Sequence, residues 1–459
     1  MKRVLVALLL LLVVVAAAAW WWEGRSGPPK VQINQPAAVI GRNGALDLII
    51  DAPGGRLSRL DVSVEQGGKE TPLYSLQQTA AAALKQAGPD RVQLTTPLTP
   101  KEVPGLKSGD ARVIVRTERT ALRGFRVLGG ETSKAFRVQL EPPRLAVLST
   151  HHYINLGGSE FVVFRATPED AAAGVRVGDR TYPAFPGRGV GITTDPAVRV
   201  AVFALLFDQD LNTPISVYAT DAAANTASVP LDYRSFPKAF RRSRIEVADA
   251  FLKRVVPAIL ENTPDFANEV ADRNDLVAAF LKINGDLRRK NAETIAAYAK
   301  QTAPARLWDG IFQQLGNSQV EASFADHRTY FHDGKEIDQQ VHLGFDLAVT
   351  SAVPVVAANN GKVVHAGYLG IYGNCVIIDH GLGVQSLYAH LSSMEVQPGG
   401  QVAKGQQIGR SGMTGLAGGD HLHFTMLVNG QAVNAVEWWD TKWMEDRVFR
   451  KIREAGGKI

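Results

Sequence analysis

Cysteine is almost absent: Cys375 is the only one in 459 residues. That excludes an internal disulfide framework and any cysteine-rich zinc site. Charge of one sign is scarce too. A net charge of +5 is too small to argue for nucleic acid, though it suits an anionic surface such as a membrane or a cell wall. The helical HExxH pattern does not occur, which removes the helical zincin folds. Histidine is nearly missing from the first 300 residues, where only His151 and His152 stand. The other eight of the ten fall between His327 and His423, so the chemistry belongs in the last third. Apolar residues make up 45 %, enough for real cores, and the length predicts several domains.

The chain opens MKRVLVALLLLLVVVAAAAWWW. Lys2 and Arg3 precede an uncharged apolar run over residues 4–22. At about 1.5 Å per helical residue that run matches a bilayer core of ~30 Å. The leading positive charge keeps the N-terminus in the cytoplasm, and Trp20, Trp21 and Trp22 suit the far interface. The expectation is a signal anchor over 1–26, a single pass of the inner membrane, with the catalytic domain in the periplasm. The alternative is cleavage near Ala16–Ala19, which would free a periplasmic or secreted protein.

Residues 30–145 alternate in the β manner, as at Leu46, Leu48 and Ile50, with a turn signal at 53–55. They predict a β-sandwich-like module, and 146–235 a second one of immunoglobulin-like type. Near Phe236 the period becomes helical: Phe251, Leu252, Val255, Val256, Ile259 and Leu260 repeat at helix spacing. Pro257 is expected to bend or end that helix. Asn284-Gly285 is expected to separate two further helices in a connector over 236–315. The cluster Lys238, Arg241, Arg242 and Arg244 reads as a solvated helix face. From about Leu315 the pattern returns to β, predicting a mainly antiparallel catalytic domain over 316–436 and a C-terminal helix over 437–459. The expected fold class is multidomain: transmembrane helix, two β modules, helical connector and β catalytic domain.

Within that domain "HLGFDLA" sets His342 and Asp346 four apart, with Gly344 between them. On one strand 342, 344 and 346 share a face. An imidazole and a carboxylate, joined by a third ligand, make a three-ligand zinc site with an open position. His423 or His421, from "GGDHLHF", supplies the third. Those two also share a face if they lie on a strand. "SLYAHLSS" adds His390, which alone reads as a hydrogen-bonded structural histidine.

Together "HLGFDLA", "YAHLS" and "TGLAGGDHLHF" resemble the lysostaphin-type, LytM-like zinc metallopeptidases of peptidoglycan. "GKVVHAG", "YGNCVIIDHG", "VQPGGQVAKGQQIGRSG" and "VNGQAVN" support the resemblance, which covers about a quarter of the chain. It implies zinc ligands His342, Asp346 and His423, and two free histidines, His390 and His421, that act on water and the tetrahedral intermediate. His380, in "IIDHG", matches no ligand position and reads as structural. Asp420 departs from the family, which usually has proline there. The implied activity is hydrolysis of stem-peptide cross-links; the alternative is a non-catalytic LytM-like regulator of wall hydrolases. A biotinyl or lipoyl carrier is discarded, because Lys404 lies in the wrong turn.

Overall fold

The structure, a computed structural model, describes residues 2–25, 27–52, 57–78, 84–121, 124, 126–348 and 350–458. The turn signal at 53–55 lies outside them. Lys2–Arg25 is helical. Among the described residues no helix is long and apolar enough to cross a membrane. The spanning anchor expected over 4–22 is therefore not supported.

The chain divides into two compact units. The first, Met1–Pro143 with Thr220–Ala227, contains a four-stranded and a five-stranded sheet. Strand Ala45–Asp51 alternates buried and half-buried residues, as a strand with one face on a core must. Leu46, Leu48 and Ile50 from one sheet meet Leu60, Val62, Val64, Val113 and Val115 from the other in a single cluster. Each such buried aliphatic contributes about 1.5–3 kcal/mol by leaving water.

The second unit holds Arg144–Ala219 and Ser228–Ile459. Its β-rich beginning includes a four-stranded sheet built on Ser159–Thr167 and Val198–Ala204. These strands share one continuous apolar cluster with the last third of the chain, through Phe161, Phe203, Trp308, Phe424 and Trp438. The C-terminal helical segment is locked to this module by charge as well. Lys451 Nζ lies 2.7 Å from Glu160 Oε1, and both side chains are fully buried.

The last third is an antiparallel sheet. Its order runs Gln319–Ala322, Phe345–Ala348, Leu422–Val428, Val384–Leu391, Asn374–Gly381, Gly361–Tyr368 and Gln401–Val402. A separate three-stranded sheet joins Arg242–Glu246 in parallel to Asp326–His332, which pairs with Lys335–His342. Thus residues 242–246, expected within the helical segment, form a strand. Arg244 there stacks on Phe331, with its guanidinium carbon 3.4 Å from the ring centroid.

One helical expectation is corrected, and of the two outcomes expected at Pro257 the ending of the helix is excluded. Helix Asp249–Asn262 runs through Pro257 without ending. Its buried residues Leu252, Val255, Val256, Ile259 and Leu260 pack against the rest of the helical cluster and hold it. Asn284-Gly285 does not break the chain. A π-helical turn, Ile283–Leu287, links Leu276–Lys282 directly to Arg288–Tyr298. Asn284 is fully buried there and hydrogen-bonds Asp338 at 2.7 Å, which compensates the poor helix propensity of the pair. The helices pack onto Tyr330 and Ile371 and so roof the sheet that carries the histidines.

Candidate metal centre

His342 and Asp346 do not lie on one continuous strand. Strand Lys335–His342 ends at His342, and Phe345–Ala348 belongs to the other sheet. The break at Leu343 and Gly344 turns the chain between sheets. Gly344 makes room for the neighbouring His423. A Cβ on it would lie 2.5 Å from His423 Nε2 and 2.6 Å from Thr425 Oγ1.

Asp346 pairs in register with His423 on Leu422–Val428. This brings His342, Asp346 and His423 together, with one donor atom from each within 4.8 Å of the others. His342 Nε2 is 2.9 Å from Asp346 Oδ1 and 2.9 Å from His423 Nδ1. His423 Nδ1 is 3.0 Å from Asp346 Oδ1. All three residues are buried.

Hydrogen bonds behind the ligands fix their tautomers. A carbonyl only accepts, so His342 Nδ1 donates to Ser323 O at 3.2 Å, leaving Nε2 bare in the neutral ring. Thr425 Oγ1 donates to Leu343 O at 3.1 Å and accepts from His423 Nε2 at 3.0 Å, leaving His423 Nδ1 bare. Two imidazole lone pairs and a carboxylate oxygen thus converge with no proton among them. Such a donor set repels itself unless a cation sits in it, and its N₂O composition with outer hydrogen bonds fits zinc.

Asp346 Oδ2 accepts from Arg328 Nη2 at 2.8 Å. Burial pushes the Asp346 carboxyl up, but His342, His421 and His423 outweigh it and hold it well below its ordinary range. Burial outweighs the hydrogen bond to Asp346 and lowers His423 to about 4.

His390 and His421 stand beside the triad, their ring centroids 4.9 Å apart, and His390 lies 5.7 Å from the His423 ring. His390 takes φ +62°, a strained conformation for a non-glycine residue, and donates Nδ1–H to Thr414 O at 2.8 Å. His421 Nδ1 donates to Gly419 O at 2.9 Å, and its Nε2 is 3.5 Å from Asp346 Oδ1. Each therefore keeps Nε2 for proton exchange. Burial, followed by the charges of His421 and His423, drives His390 far down. Burial also acts downward on His421, but Asp346 overcomes it and His421 rises.

The five residues line a cavity of about 360 Å³ whose roof is Val247, Phe251, Phe280 and Arg288 from the helical segment. Sequence reasoning missed Arg328, Tyr372, Thr425 and Arg288. Tyr372 sets its ring 5.6 Å from that of His423. Only Thr425 had a readable signal, since it stands two after His423 on the same strand face. The remaining histidines lie elsewhere. His380 is buried between Asn360 O and Ser386 Oγ, His332 bonds Val247 O, and His365 bonds the Tyr298 hydroxyl. Tyr388 is core, accepting from Ala358 N and Ser386 Oγ.

An antiparallel β domain with this three-donor centre defines a candidate metallohydrolase. Residues 340–435 match the family described as Peptidase family M23. The chain is 44 % identical over 97 residues to the DD-carboxypeptidase/endopeptidase Mpg of Neisseria meningitidis serogroup B, covering 21 % of this chain and 22 % of that one. It is 29 % identical over 173 residues to the peptidoglycan DD-endopeptidase ShyA of Vibrio cholerae, 37 % of each chain. It is 37 % identical over 95 residues to the murein hydrolase activator EnvC of Escherichia coli, 21 % of this chain and 23 % of that one. The matches thus span between about a fifth and just over a third of these relatives. They support a lysostaphin-type peptidase domain in the last third of the chain.

Proposed function

We propose that the protein is a zinc-dependent endopeptidase that hydrolyses the stem-peptide cross-links of peptidoglycan. The observation that carries this reading is the convergence of His342, Asp346 and His423 beside two further imidazoles in one cavity. His342 Nε2, Asp346 Oδ1 and His423 Nδ1 would hold the zinc. Bound there, zinc supplies Lewis acidity toward an amide carbonyl and acidifies water. The chain's own part is proton handling. Water adds to the carbonyl carbon, and one of the Nε2 atoms of His390 and His421 accepts its proton. The other stabilises the tetrahedral oxygen, and a proton returns to the departing amine. The buried setting excludes bulk water and strengthens each of these interactions.

The similarity to the activator EnvC motivates a second reading, a regulator that cuts nothing. The complete donor set and the two free histidines favour the enzyme. Because its substrate lies outside the cytoplasmic membrane, we place the catalytic unit there; N-terminal sequencing of the mature protein decides whether residues 4–22 remain attached.

The test is digestion of purified cross-linked peptidoglycan by the full chain, with and without chelator. The expected products are fewer cross-linked dimers and new free amino groups, both abolished by chelator. Glycoside cleavage normally uses two carboxylates across the bond. New reducing sugar ends with cross-links intact would overturn the proposal, and so would an inert zinc-loaded protein that stimulates a separate hydrolase.

A further inference from the structure

Two guanidinium groups line the catalytic cavity, those of Arg328 and Arg288. They are differently employed. Arg328 is committed: it donates to Asp346 and lies 3.5 Å from Asp326. Arg288 has no carboxylate partner among the described residues. Its Nε donates to Asn284 O at 3.0 Å and its Nη2 to Asn284 Oδ1. Asn284 is fully buried in the π-helical turn and is itself pinned to Asp338. A π-turn costs stability and is often retained where it places a functional group. Here it hands an arginine, oriented by a neutral amide, to the roof of the cavity. Two of the five guanidinium N–H groups are used, so three are left.

We propose that Arg288 is a carboxylate-binding subsite that receives the free α-carboxylate of the D-residue on the amine side of the scissile bond. The inference rests on the peptidoglycan reading above and narrows it to a substrate class. In a D-alanyl bond to a further D-centre, the carbon attached to the scissile nitrogen carries a carboxylate. This holds when that centre is a terminal D-alanine and equally when it belongs to the diamino acid of a cross-link. In a glycine bridge the corresponding carboxyl is consumed in the next peptide bond. One arginine therefore serves both removal of a terminal D-residue and cutting of a D,D cross-link, and gives nothing to a glycine bridge.

The surroundings agree. Tyr372 lines the same cavity and packs its ring on His423. Phe251, Phe280, Ile371 and Leu416 offer apolar wall for a small methyl side chain. A cavity of about 360 Å³ accommodates a dipeptide. An arginine fork and a carboxylate form the strong, two-point kind of charge-assisted hydrogen bond.

The test measures binding, so it does not depend on turnover. The zinc-loaded full chain is titrated with N-acetyl-D-alanyl-D-alanine and with its C-terminal amide, by calorimetry or NMR. The acid is expected to bind at least ~10-fold more tightly than the amide, as loss of one charge-assisted contact implies. Arg288→Gln should bring the acid to the level of the amide, and Arg288→Lys should recover part of the difference. Equal affinity for acid and amide in the unchanged protein overturns the proposal, as does undetectable binding of both. A Gln variant that weakens both alike overturns it too. If Arg288→Gln does not fold, the acid-to-amide ratio of the unchanged protein still decides. Acid-selective binding without cross-link cleavage would sink the enzyme and keep the subsite; cleavage without acid selectivity would do the reverse.

Discussion

The floor and the roof of the candidate cavity are built on different principles. The floor carries His342, Asp346, His390, His421 and His423, all on or beside strands of two sheets and all inside residues 340–435. Their positions follow from strand register, and each histidine is oriented by a hydrogen bond to a carbonyl or a hydroxyl. The roof comes from residues 245–292, outside that match. It is held by apolar packing of Leu252, Val256, Phe280 and Ile283, and its one free cation among the described cavity residues is placed by a π-turn. On the proposed reading the floor would supply the reaction chemistry. The roof would supply shape and charge.

The largest effect expected from breaking this division is at the ligands. His342→Ala, Asp346→Ala and His423→Ala should each take zinc content from one per chain to near zero and abolish hydrolysis. Elemental analysis showing full zinc in all three would remove the ligand assignment. Next come His390→Ala and His421→Ala. These should keep zinc and lose ~100-fold or more in turnover, the range for a positioned acid or base. A His421→Ala protein without metal, beside a His423→Ala protein that kept it, would mean the pair works the other way round.

Arg328 sharpens the comparison because it joins the two halves. It stands on Asp326–His332, which pairs with the roof strand Arg242–Glu246, yet it holds the second oxygen of a floor ligand. Arg328→Gln should weaken zinc binding ~10–100-fold, as loss of an outer partner of a ligand does, and leave the fold intact. Competition with a fluorescent chelator measures this. Unchanged affinity would show that Asp346 is positioned by its strand alone.

What was legible in the sequence follows the same line. The floor was readable because its residues are chemically distinctive and regularly spaced: an HxxxD, an HxH and a strand-end histidine. Even there the geometry was misread at one point. Gly344 sits in a break between two strands, and spacing alone does not separate a break from a continuous strand. The roof was readable as helical from the spacing of Leu252, Val255, Val256, Ile259 and Leu260, but its continuity was not. Pro257 and Asn284-Gly285 have local propensities that oppose a helix, yet burial of Leu252, Val255 and Val256 and the Asn284–Asp338 hydrogen bond override them. Arg288 and Arg328 carry no motif. Their meaning comes from which carboxylates they do and do not face.

The smallest expected effect concerns the loop that delivers His421, which is gripped from both halves. From the floor, Asp420 accepts from Ser411 Oγ at 2.6 Å and from Ala352 N at 3.1 Å. From the roof, Arg254 Nη2 donates to Ala417 O at 2.7 Å and Gly418 O at 3.3 Å. Between these grips lies Gly419, whose carbonyl orients His421. Either grip alone should hold the carbonyl in place. Asp420→Ala and Arg254→Ala should therefore each cost about 1 kcal/mol, keep zinc, and slow hydrolysis by ~5-fold or less. The double variant should lose more than the product of the two, because only then is Gly419 released. A double-mutant cycle on turnover reads this coupling directly. Strict additivity would mean that roof and floor act on the loop independently. An Arg254→Ala loss as large as that of His421→Ala would erase the distinction between the halves, since a roof residue would then matter to the chemistry as much as the imidazole it helps to place.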